Sequence, residues 1–95
     1  MNKDSVHSRI VETLREEIDR IDDQLLELLN QRAKIAVEVG RLKIAAEPQG
    51  HEMRVASREE FILNRLKMRD EGIFPHESVE LIFREIFKTC LSLQK

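Results

Sequence analysis

Apolar residues step along the first half of the chain by alternating fours and threes: Leu14, Ile18, Ile21, Leu25, Leu28, then Ile35, Val39 and Leu42. That spacing belongs to a helix that keeps one narrow face turned toward a partner. Arg32 occupies the place in this seam where the next apolar residue is due. A guanidinium on a packing face costs several kcal/mol, on the order of 3–5, unless an anion meets it. The seam therefore predicts either a buried carboxylate opposite Arg32 or a bound anionic ligand.

Nothing interrupts the helical pattern between Asp4 or Ser5, either of which can cap it, and Glu47-Pro48-Gln49-Gly50. Helix one is predicted from about residue 6 to 46, and Gly40 within it costs only about 1 kcal/mol relative to Ala. Residues 47–57 are expected to form a loop. Ser57-Arg58-Glu59-Glu60 then has the Ser-x-x-Glu spacing of a capping box, with Phe61, Ile62 and Leu66 behind it and Gly72 as a stop, so helix two is placed at about 58–71. Pro75 suits the first turn of helix three, about 75–94, whose apolar stripe reads Val79, Ile82, Phe83, Ile86, Cys90 and Leu93. Strand signals are almost absent, so the fold class is all-α: three helices in one domain over residues 1–95.

Length turns this reading into a statement about assembly. A helix of about 40 residues is roughly 60 Å long, whereas a compact globule of this size is about 30 Å across. The simplest remedy is a two-fold homodimer in which the long helices run antiparallel and helices two and three of each chain cover them. A core built from 95 residues, 41% hydrophobic and 36% charged, would also be marginal in one chain alone.

Charge and cysteine content narrow the partners. The formal net charge is −2 and the only aromatics are four Phe, which argues against nucleic acid. One cysteine, no apolar run of about 18 residues and no signal-peptide pattern point to a soluble protein of the cytoplasm, with no membrane contact. His7, His51 and His76 are scattered, and no Cys/His/Asp cluster has metal-ligand spacing, so neither a metal nor a cofactor is expected. No Ser or Cys has an evident His and acid partner. Any catalysis must rest on positioning and electrostatic stabilisation.

The cations suggest where. Lys43 projects from the same helical face as Arg32, about 16 Å further along the axis, and the two can reach one small anion between them. Arg15 lies roughly 25 Å from Arg32 on the same rod. If the two-fold passes near residue 25 or 26, Arg15 of the other chain lands between Arg32 and Lys43. Arg58 and Glu59 in the first turn of helix two, with Cys90 and Gln94 on one face of helix three, can close such a pocket. Three or four cations, one carboxylate and one amide suit a small dianion carrying a hydroxyl. Each residue also has a plainer role open to it: a cross-dimer ion pair for Arg32, solvated charges for Lys43 and Arg58, a helix-dipole partner in Glu59, a small core residue in Cys90 and a frayed end at Gln94.

The segments Leu14-Arg15-Glu16-Glu17-Ile18-Asp19-Arg20-Ile21-Asp22, Leu25-Leu26-Glu27-Leu28-Leu29-Asn30-Gln31-Arg32, Ala36-Val37-Glu38-Val39-Gly40-Arg41-Leu42-Lys43, Ser57-Arg58-Glu59 and Ile82 through Gln94 resemble the all-helical chorismate mutases. The likeness is strongest to mutase domains fused to prephenate dehydratase or to the first enzyme of the shikimate route, and it covers about residues 10–95. It implies an intertwined, obligate homodimer with two active sites, each completed by an arginine of the neighbouring chain, where Arg15 stands. It further implies carboxylate binding by Arg32, contact of Lys43 with a carboxylate and with the ether oxygen, and a lining role for Arg58. Glu59 takes the substrate hydroxyl in this reading, and Gln94 donates to the ether oxygen. Two positions depart from the family pattern. Val55 replaces an acidic residue and is expected to keep only a main-chain contact; Cys90 replaces a serine, and a thiol is the weaker donor.

The implied activity is the rearrangement of chorismate to prephenate on the way to phenylalanine and tyrosine. Other readings stay open on sequence: a helical dimerisation module, a domain that senses pathway metabolites, or an enzyme on the same fold that splits isochorismate into salicylate and pyruvate.

Overall fold

A computed structural model describes the backbone of residues 3–46, 51–69 and 72–94, and side chains over 4–46, 55–69 and 72–94. The described residues form three helices and no strand, in the order α1 (Lys3–Ala46), α2 (His51–Lys67) and α3 (His76–Leu93). The all-α expectation holds at this level. Two compact units divide the chain, Met1–Arg32 and Ala33–Lys95, and α1 contributes to both.

Three boundaries differ from the sequence reading. Helix α1 begins at Lys3, so Asp4 and Ser5 lie inside its first turn, where the Asp4 carboxylate favours the positive end of the helix dipole. Helix α2 begins at His51 rather than near residue 58, and Val55, Ala56 and Ser57 are helical instead of belonging to a loop. The Ser57-x-x-Glu60 spacing was an imperfect start signal because no glycine or proline separates it from His51, and a capping pattern inside a run of helix formers does not break the helix. The stretch 47–50, placed in the expected loop, lies outside the described residues.

Helix α2 also stops earlier, at Lys67. Its end tightens: Met68 N–H donates to the Asn64 carbonyl at 3.2 Å, and Arg69 N–H to the Leu66 carbonyl at 3.0 Å, the three-residue spacing common in a closing turn. Gly72 therefore lies beyond the helix, and residues 70–71 of the expected helix are outside the described ones. Pro75 is the residue that precedes α3, with φ −62° and ψ 142°. Its fixed φ and missing N–H cost nothing there, and its carbonyl accepts the Val79 N–H at 3.0 Å.

The first unit is one stretch of helix, with Leu14, Ile18, Ile21, Leu25 and Leu28 all exposed. The second unit contains the packed interior. There α2 and α3 lie against each other, and the buried apolar residues are Ile62 of α2 with Phe87 and Cys90 of α3. Phe87 meets Phe83 in a tilted ring pair with centroids 6.1 Å apart. The inward stripe of α3 runs through Val79, Phe83, Ile86, Phe87 and Cys90, while Ile82 and Leu93, expected on it, are exposed. The stripe is turned by a fraction of a turn, with Phe87 rather than Ile82 or Leu93 on its buried side. Ile62→Val removes one buried methylene and is expected to cost about 0.5–1.5 kcal/mol, read as a lower urea midpoint at unchanged slope.

Helix α1 shows two unlike faces within the second unit. Gly40 is buried and Ala33, Ala36 and Val37 are half-buried, at positions that share one side of a helix. Ile35, Val39 and Leu42 project from the opposite side and are exposed. The chain's own helices thus use the small-residue face of α1, and the apolar seam is left uncovered within one chain.

Candidate active site

Gln94 is the best-placed of the expected site residues. It is the residue at which α3 ends, with φ −79° and ψ −6°, and its backbone N–H donates to the Leu91 carbonyl at 3.1 Å. Its side chain reaches back to α1, where Nε2 donates to the Ala36 carbonyl at 3.0 Å. Gly40, one turn further along α1, has no Cβ at the point where the carboxamide lies. A carbonyl only accepts, so this contact settles which end of the amide faces Ala36 and gives the second N–H of Nε2 a defined direction.

Glu59 is half-buried on α2 and lines an open groove of about 390 Å³ with Arg84, Phe87, Lys88, Leu91 and Ser92 of α3. Arg84, which donates to Glu80 Oε1 at 3.0 Å, and Lys88 are the cations of this groove, and Phe87 and Leu91 its apolar residues. Arg58, its neighbour, is exposed, with its guanidinium carbon 5.3 Å from the centre of the Phe61 ring. That cation–π stacking gives the long side chain a preferred direction at an exposed site, where such contacts contribute about 0.5–1 kcal/mol. Phe61, expected among the apolar residues behind the cap, serves this surface role instead of a core one.

The remaining residues are distributed as follows. Lys43 is exposed in the last turn of α1, where its charge complements the negative helix end. Val55 is half-buried on α2. Its main-chain N–H therefore sits in a helical segment, which constrains the backbone role expected for it in a loop. Cys90 is buried in the α2–α3 interior. Arg32 is half-buried and Arg15 exposed, both in the first unit. Arg32 has polar or electrostatic partners of its own. Among the described residues no three His, Cys, Asp or Glu side chains gather as a metal site, and no helix is long and apolar enough to cross a membrane.

Sequence reasoning did not single out Ala36 as an orienting group, nor Arg84 and Lys88 as neighbours of Glu59. Gly40 carried a signal, since an isolated glycine within a long helix usually marks a close approach. The residue that makes this approach is far away in sequence, so its identity needed the fold.

The chorismate mutase type II family matches residues 14–95 of the chain. A bifunctional chorismate mutase/prephenate dehydratase of Aquifex aeolicus (strain VF5) is 45% identical over 86 residues, covering 86% of this chain and 23% of the relative. The protein of the same description from Stutzerimonas stutzeri is 33% identical over 87 residues, 90% of this chain and 24% of the relative. An intracellular chorismate mutase of Mycobacterium bovis is 38% identical over 55 residues, 58% of this chain and 50% of the relative. The chain thus spans about a quarter of the length of the bifunctional relatives. With that family matched over residues 14–95, most of its length, the chain belongs to the type II chorismate mutase family.

Proposed function

We propose that the chain catalyses the rearrangement of chorismate to prephenate, as a cytoplasmic homodimer with two shared active sites. The family match over residues 14–95 is the observation that carries this reading. The reaction is pericyclic: an ether carbon–oxygen bond breaks as a carbon–carbon bond forms, with no proton transfer and no covalent intermediate. A site built from fixed donors and cations meets that requirement.

Negative charge builds on the ether oxygen as its bond lengthens. Lys43 and the second N–H of Gln94 donate to that oxygen, and their interaction strengthens toward the transition state. Arg32, Arg58 and the partner subunit's Arg15 hold the two carboxylates, which keeps the flexible substrate in its compact reactive conformer. Glu59 accepts the substrate hydroxyl. Val55 and Cys90, at which the resemblance implies substrate contacts, lie within α2 and α3, where their backbone N–H groups serve the helices, and the Cys90 thiol is buried, so the contacts with substrate rest on the other residues. Hydrogen bonding by Gln94 to Ala36 supports its assignment as a donor, because an amide already oriented does not have to be ordered during the reaction.

The dimer has its own support. Leu25 is 53% exposed in the single chain, Leu28 59%, Ile35 66% and Leu42 63%. An exposed apolar stripe of this kind, interrupted only at Arg32, marks an interaction surface. A second copy running antiparallel supplies the same stripe and satisfies two-fold symmetry.

Purified protein mixed with chorismate is expected to consume its absorbance, with prephenate identified as the product. A folded dimer that leaves chorismate unchanged would defeat the proposal and favour a dimerisation module.

A further inference from the structure

We propose that Gly40 is a positioning residue for the rearrangement: the Cβ it lacks leaves a slot on α1 that holds the Gln94 carboxamide, which the Ala36 carbonyl orients. The inference rests on the reading of Gln94 as donor to the ether oxygen and adds a residue that touches neither substrate nor reacting atoms.

A glutamine side chain has three rotatable bonds, and at the end of a helix little restrains them. Here the carboxamide has a single well-defined seat. Nε2 donates to the Ala36 carbonyl at 3.0 Å, and Gly40, the buried glycine of α1, lies directly beside it. A Cβ built on Gly40 would stand 2.5 Å from Oε1 and 2.6 Å from Nε2 of Gln94, and would collide with Cδ as well. All three atoms belong to the tip of a flexible side chain. Alanine at position 40 would therefore push the carboxamide out of its seat at little cost to the helix backbone.

Helix propensity runs the other way. Glycine in a helix interior destabilises it relative to alanine, and Gly40 is helical, so Gly40→Ala improves the helix itself. The residue that the helix alone would favour is the one that displaces the donor. Stability and turnover are thus expected to move in opposite directions, which a purely structural glycine would not produce.

The test is a double-mutant cycle of Gly40→Ala and Gln94→Ala, with kcat, KM and Tm measured for all four proteins. In the Gln94 background Gly40→Ala is expected to lower kcat at least about tenfold, with KM changed less than about threefold, because the lost interaction belongs to the transition state. In the Gln94→Ala background, where the slot is empty, the same change should leave kcat where it is. Tm should rise by a few degrees in that background and by less beside Gln94. Wild-type turnover in Gly40→Ala would overturn the inference, as would equal effects of the substitution in both backgrounds or loss of folding in both. A wild-type protein that does not turn over chorismate would instead overturn the mutase reading, and the Tm cycle would still report whether the slot holds Gln94.

Discussion

Replacing Lys43 by alanine is expected to lower kcat by at least about 10²–10³-fold while the helical content and the dimer persist. The magnitude follows from the mechanism. No general base, nucleophile or proton relay contributes to a pericyclic shift, so in the proposed mechanism the rate enhancement comes from donors aimed at the ether oxygen and from restriction of the substrate. Removing one preorganised donor removes an interaction made mainly in the transition state, and kcat then falls with kcat/KM. The structural cost is small. Lys43 is exposed in the last turn of α1, where a cation contributes about 0.3–1 kcal/mol through the helix dipole. Circular dichroism and sedimentation of Lys43→Ala should match wild type; near-wild-type turnover would remove Lys43 from the mechanism.

Leu28→Asp is expected to break the assembly. Leu28 is 59% exposed in the single chain. Judged on that chain alone, a polar replacement at such a site changes stability by no more than about 0.5 kcal/mol. In the proposed antiparallel dimer the same position lies on the seam between two long helices, and each copy of the substitution would bury a carboxylate with no cationic partner. The penalty is then several kcal/mol per site, which is a large share of the about 5–15 kcal/mol that usually separates folded from unfolded states. Sedimentation equilibrium should show monomer, and the melting transition should fall sharply. An unchanged dimer would exclude the seam as the interface.

Much of the fold was legible because it follows from period. The 3–4 spacing and the absence of breakers define one long helix, and Lys3–Ala46 is that helix. Pro75 marks the start of α3 for a local reason, its fixed φ, and the element follows directly after it. Helix α2 was less legible. Its ends depend on which of two weak signals acts, and Ser57 with Glu60 looks like a start although the chain is already helical from His51. The stripe of α3 was read correctly at Val79, Phe83, Ile86 and Cys90 and missed at Phe87, because period alone does not say which edge of a wide apolar face turns inward.

The candidate site was legible as residue types and less so as geometry. Arg32 in an apolar seam and the cations spaced along one helix call, by charge alone, for either a carboxylate across the seam or a bound anion. The contact of Gln94 with Ala36 joins positions 58 residues apart in sequence, and no local pattern encodes it. The gathering of Glu59, Arg84 and Lys88 along one groove likewise depends on how α2 packs against α3.

The claim that two chains build each active site is tested most directly by complementation. Arg15→Ala and Lys43→Ala proteins, each inactive alone, are unfolded together, refolded and assayed with chorismate. In a mixed dimer one site carries both substitutions and the other carries neither. Random pairing makes half the dimers mixed, so the account predicts recovery of about a quarter of wild-type turnover per chain. Activity no greater than the sum of the two separate variants would contradict it.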